Sequence, residues 1–219
     1  MRKILPSLLG VTDIKNFLER IQAMNKNKIC NIDEFHVDMM DGKFVDNKCG
    51  KLEDIRTLNK FGMKSDVHFM YKDPENGIDK AVAYGANSIT IHYEIPEFEK
   101  YLKKLKCIKE AYNINIGVSI RPKTDENEMK KYIDDIDIIL VMSVEPGRGG
   151  QSFIEDVYDK IKRVRQMKED ICIVVDGGIN DKNIAKVFGR GADKVVVGSY
   201  LTDNEDMLEE KVKLLGQDN

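Results

Sequence analysis

Hydrophobic positions along the chain fall into short, β-branched runs separated by segments with helical spacing. The runs cover residues 3–9, 34–40, 64–70, 88–94, 114–120, 136–144, 171–176 and 194–199. They are rich in Val and Ile and apolar on both faces, the pattern of a parallel sheet covered by helices. Between them, Ile14, Phe17, Leu18 and Ile21 form one helical stripe, Phe98, Tyr101, Leu102 and Leu105 a second, and Val157, Ile161 and Val164 a third. The second and fifth intervening segments show no clear stripe and are assigned to helix by their place in the alternation. In Tyr84-Gly85-Ala86-Asn87 and Arg190-Gly191-Ala192-Asp193, a glycine stands where a helix C-cap is expected before a strand. Eight strand–helix units in 219 residues predict a (β/α)8 TIM barrel rather than an open doubly wound sheet. An open sheet would feed one crevice from few strands, whereas polar residues close most of these runs. No Pro/Ser-rich linker, charge block or low-complexity stretch divides residues 1–219, so a single domain is expected.

Composition narrows the class. Hydrophobic residues make up 42% of the chain and charged residues 33%, with 35 basic against 38 acidic side chains and a net charge of −3. Mean hydropathy is −0.42 and the isoelectric point about 5.8. No basic tract stands out, which argues against nucleic acid as a partner. Cys30, Cys49, Cys107 and Cys172 are far apart, without a C-x-x-C pair, and read as reduced thiols. The opening Met1-Arg2-Lys3-Ile4-Leu5-Pro6 is broken by Pro6 and Gly10, too early for a signal peptide or a membrane span. A soluble, cytoplasmic protein is expected.

The chemistry concentrates at the strand ends. All three histidines lie inside β-prone runs: Phe35-His36-Val37-Asp38, Ser65-Asp66-Val67-His68-Phe69 and Ile89-Thr90-Ile91-His92. A further run, Ile173-Val174-Val175-Asp176, ends in a carboxylate followed by Gly177-Gly178. Alternate side chains of a strand share a face, so His36 and Asp38 point the same way. On a ring of eight strands, Asp38 and Asp176 would face each other across the mouth, one able to take a proton and the other to return one. Two imidazoles and two carboxylates gathered there would suit Zn²⁺, Fe²⁺, Mn²⁺ or Co²⁺. Three Gly-rich turns, at Gly147-Arg148-Gly149-Gly150, Gly177-Gly178 and Gly198-Ser199, follow neighbouring strands. Their backbone N–H groups predict a bound phosphate, which barrels often hold on that side. Met40, Met70 and Met142 also end strands, where methionine is commonly core filler.

Taken together, these motifs resemble the ribulose-phosphate 3-epimerase family along nearly the whole chain. The likeness runs through Pro6-Ser7-Leu8-Leu9, His36-Val37-Asp38-Met39-Met40-Asp41-Gly42-Lys43-Phe44-Val45 and Asp66-Val67-His68-Phe69-Met70. It continues in Val141-Met142-Ser143-Val144-Glu145-Pro146-Gly147, Gly149-Gly150-Gln151-Ser152-Phe153-Ile154, Val175-Asp176-Gly177-Gly178-Ile179 and Gly198-Ser199. The resemblance implies a barrel of the ribulose-phosphate-binding type and a divalent metal held by His36, Asp38, His68 and Asp176. It implies Asp38 and Asp176 as acid and base, and a sugar phosphate bound by Ser7, His68, Gly147, Arg148, Gly149, Gly150, Asp176, Gly177, Gly178, Gly198 and Ser199. Met40, Met70 and Met142 would shield the intermediate, His92 would lie outside the metal set, and a homo-oligomer is expected. Departures from the family pattern are Gly10-Val11-Thr12-Asp13, the segment Asp46-Asn47-Lys48-Cys49-Gly50, Arg148 in place of an aromatic residue, and Ile120-Arg121-Pro122.

Three rivals remain. A six-carbon ketose phosphate such as allulose 6-phosphate would use the same apparatus. A metal-dependent aldolase or decarboxylase would carry Asp-x-Lys-x-x-Asp, but the run here is Asp38-Met39-Met40-Asp41, without the lysine. A non-catalytic sugar-phosphate binder predicts a broken acid or base, and both are intact.

Overall fold

The computed structural model describes residues 2–216. Among them, nine strands form one sheet: β1 Lys3–Pro6, β2 Glu34–Asp41, β3 Lys48–Cys49, β4 Lys64–Met70, β5 Ser88–His92, β6 Asn115–Ile120, β7 Ile138–Met142, β8 Cys172–Asp176 and β9 Lys194–Val197. The order is β1-β9-β8-β7-β6-β5-β4-β2-β3, and every pairing is parallel except the short β2–β3 ladder. Beyond Pro6, a lone parallel bridge between Ser7 and His36 joins β1 to β2 and closes the ring. The fold is thus a (β/α)8 barrel of eight parallel strands with a small appended strand.

The helices are α1 Ile14–Lys26, α2 Glu53–Lys60, α3 Glu75–Ala83, α4 Phe98–Tyr112, α5 Val157–Met167, α6 Ile184–Gly189, α7 Ser199–Thr202 and α8 Leu208–Gly216. The predicted stripes are the buried faces: Phe17, Leu18 and Ile21 on α1, Tyr101, Leu102 and Leu105 on α4, Ile161 and Val164 on α5. They pack on the outward residues of the strands, including Phe35, Val67 and Ile139, in one continuous core. Gly85 and Gly191 take positive φ just after α3 and α6, as a C-cap requires. Among the described residues no helix is long and apolar enough to cross a membrane.

Two expectations are corrected. The fifth segment, weak by pattern, is a 3₁₀-helix over Glu126–Lys131 and not an α-helix; only Glu126 and Met129 are buried there, too little apolar surface to hold several α-turns against the sheet. Residues 46–50, read as an altered loop, contain β3, whose Lys48 and Cys49 pair with Asp41 and Met40. Several strands also end earlier than their apolar runs: β1 ends at Pro6, with Ser7 N–H still donating to Val197 O and Leu8 N–H to His36 O, and Ser199 begins α7.

Inside the ring the strands are not uniformly apolar. Ile138, Leu140, Met142, Val174 and Val196 fill one side. The opposite side carries buried Glu34, His36, Asp38, Asp66, His68, Ser88, Thr90, His92 and Ser119. Polar groups at this density inside a barrel call for partners or ligands.

Candidate active site

Register places the four sequence-derived groups together. Asp38 on β2 lies opposite His68 on β4, and His36 opposite Asp66. Asp176 ends β8 beside Met142. His36 Nε2 is 3.2 Å from Asp38 Oδ1 and 3.8 Å from Asp176 Oδ2. His68 Nδ1 is 3.4 Å from Asp38 Oδ1 and 3.7 Å from Asp176 Oδ2. One ligand atom from each of the four residues lies within 4.8 Å of the others.

Both histidines are fully buried, while the Asp176 side chain is 14% exposed, so the group opens toward solvent past Asp176. His36 Nε2 and His68 Nδ1 have no hydrogen-bond partner. Two orphaned ring nitrogens facing two carboxylates fit a divalent cation that accepts mixed nitrogen and oxygen ligands. The remaining polar atoms are held from outside. His36 Nδ1 lies 2.8 Å from Asp66 Oδ2, and Ser88 Oγ donates to Asp66 Oδ1 at 2.5 Å. Ser7 Oγ donates to Asp38 Oδ2 at 2.9 Å and accepts from Leu9 N–H. Such contacts lock ring orientation and carboxylate rotamers.

The two acids are electrostatically unlike. Burial and the charge of Asp38 push Asp176 up to about 6. Burial disfavours the Asp38 anion as well, but His36 and His68 outweigh it and hold Asp38 well below the usual carboxylate range. His36 is also buried, and Asp38 and Asp66 more than compensate, holding its ring well above the usual histidine value. A bound cation would draw on both ring nitrogens and both carboxylates at once.

Above this cluster is a cavity of about 380 Å³ lined by Ser7, Asp38, Met40, Met70, Met142 and Asp176, with the three Gly-rich turns along one wall. Gly147, Arg148, Gly149, Gly150, Gly177, Gly178, Gly198 and Ser199 all line it, whereas His36 and His68 lie beneath its floor. Met40 and Met70 pack with Val45 on one side, and Met142 belongs to the interior apolar cluster on the other. The turns are built for close contact. A Cβ on Gly178, at φ +64°, would fall 2.6 Å from Phe153 N and 2.8 Å from Gln151 O, so only glycine lets the β8 turn pack on the β7 turn. Gln151 Nε2 donates to Glu145 O and Arg148 O and shapes the longer turn. The Arg148 side chain is exposed at the rim.

Sequence reasoning did not include Asp66, Ser88 or Glu94 in the site, and it left His92 outside. His92 Nε2 lies 3.0 Å from His68 Nε2. Asp66-Val67-His68 carries the same alternate-residue signal as His36-Val37-Asp38, so Asp66 could have been found by shared face. Glu94 closes the apolar run 88–94 two residues after His92 and carried the same signal, although β5 itself ends at His92.

The ribulose-phosphate 3-epimerase family model matches residues 3–202. Curated relatives named ribulose-phosphate 3-epimerase include that of Bacillus subtilis (strain 168), 34% identical over 215 residues, covering 94% of each chain. That of Aquifex aeolicus (strain VF5) is 34% identical over 219 residues, covering 98% of this chain and 96% of its own. Among solved structures, a mutant tryptophan synthase α-subunit from Pyrococcus furiosus superposes with a TM-score of 0.71 at 18% identity, covering 98% of this chain and 97% of that one. A 3-hexulose-6-phosphate synthase superposes at 0.67 with 15% identity, covering 98% and 95%. Those structural likenesses establish the barrel alone. With the family model spanning most of the chain, and relatives above 30% identity along nearly all of it, this protein belongs to the ribulose-phosphate 3-epimerase family.

Proposed function

We propose that this chain inverts C3 of D-ribulose 5-phosphate to give D-xylulose 5-phosphate, and the reverse, by two-base proton transfer. The observation that carries this reading is the pair Asp38 and Asp176, held among His36 and His68 at the floor of a cavity walled by methionines. One carboxylate takes the C3 proton on one face of the substrate, leaving an enediolate. The other returns a proton to the opposite face, so C3 emerges inverted. A divalent cation held by His36, Asp38, His68 and Asp176 would supply Lewis-acid stabilisation of the negative charge that develops on the substrate oxygens. The donor set accommodates Zn²⁺, Fe²⁺, Mn²⁺ or Co²⁺.

Ser7 fixes Asp38 through Oδ2 and leaves Oδ1 toward the histidines. Met40, Met70 and Met142 offer apolar, polarisable walls that keep water from the carbanionic carbon. The turns at Gly147-Arg148-Gly149-Gly150, Gly177-Gly178 and Gly198-Ser199 receive the phosphate through backbone N–H groups. In this reading the partner is a small sugar phosphate, and the enzyme works in the cytoplasm as a homo-oligomer.

Incubation with ribulose 5-phosphate in D₂O, followed by NMR, tests the proposal. Xylulose 5-phosphate bearing deuterium at C3 is expected, with loss of turnover after chelation and recovery on adding a divalent ion. Metal-loaded protein that returns ribulose 5-phosphate without C3 deuterium would overturn the assignment.

A further inference from the structure

A line of side chains runs outward from His68, away from the cavity. His68 Nε2 is 3.0 Å from His92 Nε2, and His92 Nδ1 is 3.0 Å from Glu94 Oε2. Glu94 Oε1 accepts the Arg121 backbone N–H at 2.8 Å and the Thr124 hydroxyl at 2.5 Å. Both imidazoles are fully buried, and the Glu94 side chain is 20% exposed.

These contacts select one arrangement of protons. A backbone N–H can only donate, so Glu94 Oε1 acts as an acceptor. Burial works against the Glu94 anion, but the hydrogen bonds from His92, Arg121 and Thr124 outweigh it and bring the carboxyl down to about 2. An ionised carboxylate has no hydrogen to give, so His92 must carry one on Nδ1. The Nε2–Nε2 contact at 3.0 Å takes one hydrogen between two nitrogens, and a hydrogen on the other His68 nitrogen, Nδ1, would have no hydrogen-bond partner. His92 Nε2 is then a lone pair, and the hydrogen shared across the 3.0 Å gap belongs to His68 Nε2. With that hydrogen on Nε2, His68 offers Nδ1 to the pocket, the orphaned atom that faces Asp38 and Asp176.

We propose that Glu94 is a positioning residue which, acting through His92, fixes the His68 tautomer with Nδ1 free to bind a metal. The inference rests on the reading of the four-residue cluster as a metal centre. Glu94→Gln probes it with almost no change in shape. The Arg121 N–H and Thr124 hydroxyl still require an acceptor, so the amide oxygen stays on their side and the NH₂ turns toward His92. Donor then faces donor, and the relay reverses: His92 shifts its hydrogen to Nε2, and His68 shifts its own to Nδ1, into the pocket. Partners at this remove from a metal typically change affinity by about 10–100-fold.

With three histidines in the chain, the imidazole ¹⁵N signals are readily assigned. Long-range ¹H–¹⁵N correlation on the metal-free protein should show His92 as the Nδ1–H form and His68 as the Nε2–H form. Both should reverse in Glu94→Gln, and the Zn²⁺ dissociation constant, measured by competition with a chromophoric chelator, should rise by about 10–100-fold. A wild-type His92 carrying its hydrogen on Nε2 overturns the proposal. So does a variant with unchanged tautomers, or with Zn²⁺ affinity within about twofold of wild type. Should the variant not fold, the wild-type spectrum decides by itself. If wild-type protein binds no Zn²⁺, the metal-centre reading fails while the tautomer spectra still judge the relay.

Discussion

At the scale of single residues, the proposed acid–base pair and Arg148 carry the sharpest tests. Asp176→Asn keeps the shape of the site but removes one of the two proposed proton carriers, and kcat should fall by about 10²–10⁴-fold with thermal stability and fold retained. Metal content measured alongside separates loss of the base from loss of a ligand; near wild-type turnover would exclude a two-base mechanism. Arg148 sits exposed on the cavity rim between two glycines, and we propose that its guanidinium reaches a phosphate held by the turn. Arg148→Phe should raise KM for the sugar phosphate about 5–10-fold with little change in kcat, the signature of lost uniform binding. The penalty should shrink with added salt because the contact is solvent-exposed. Steady-state kinetics at two ionic strengths checks both statements.

At the scale of elements, the loop after β6 is held by a buried cation. Lys160 on α5 donates to the carbonyls of Arg121 at 3.0 Å, Pro122 at 2.6 Å and Thr124 at 2.5 Å. The same loop presents the Arg121 N–H and the Thr124 hydroxyl to Glu94, so α5 supports the His68 side of the site through three intermediates. Lys160→Met leaves those carbonyls without their donor and should cost about 2–4 kcal/mol, read from urea unfolding. An unchanged unfolding midpoint would show that water satisfies the loop equally well. None of this was legible in sequence. Val157, Ile161 and Val164 mark α5 as a helix by period, but Lys160 reads as one more charge beside that stripe. The segment between β6 and β7 was assigned to helix by elimination, and the 3₁₀ turn there reflects its thin apolar face.

At the scale of the molecule, Glu34 on β2 and Lys194 on β9 meet across the interior at 2.7 Å, the two side chains 7% and 18% exposed. Burial lowers the Lys194 pKa, but the charge and hydrogen bond of Glu34 outweigh it, so the folded-state value is raised. The pair's contribution is therefore complete below the unfolded lysine value of about 10.4 and is lost as pH rises through the higher folded value. Lys194→Met strands a buried carboxylate and should cost about 3–5 kcal/mol, much of it recovered by adding Glu34→Leu. Urea midpoints between about pH 9 and 11.5 should fall more steeply for wild type than for the double variant. Equal slopes would place the alkaline loss elsewhere. As for the origin of the fold and site, period and composition alone determine eight strands, the helices with a clear stripe and the barrel, because alternation and helical stripes are local properties of the chain. His36, Asp38, His68 and Asp176 were legible for the same reason: strand ends of one ring share a mouth. Tertiary structure alone decided the β3 strand, the polar half of the barrel interior, and the line from His68 through His92 to Glu94. Those depend on register between strands and on which hydrogen bond each buried nitrogen finds, and neither is encoded in the spacing of residues along one strand.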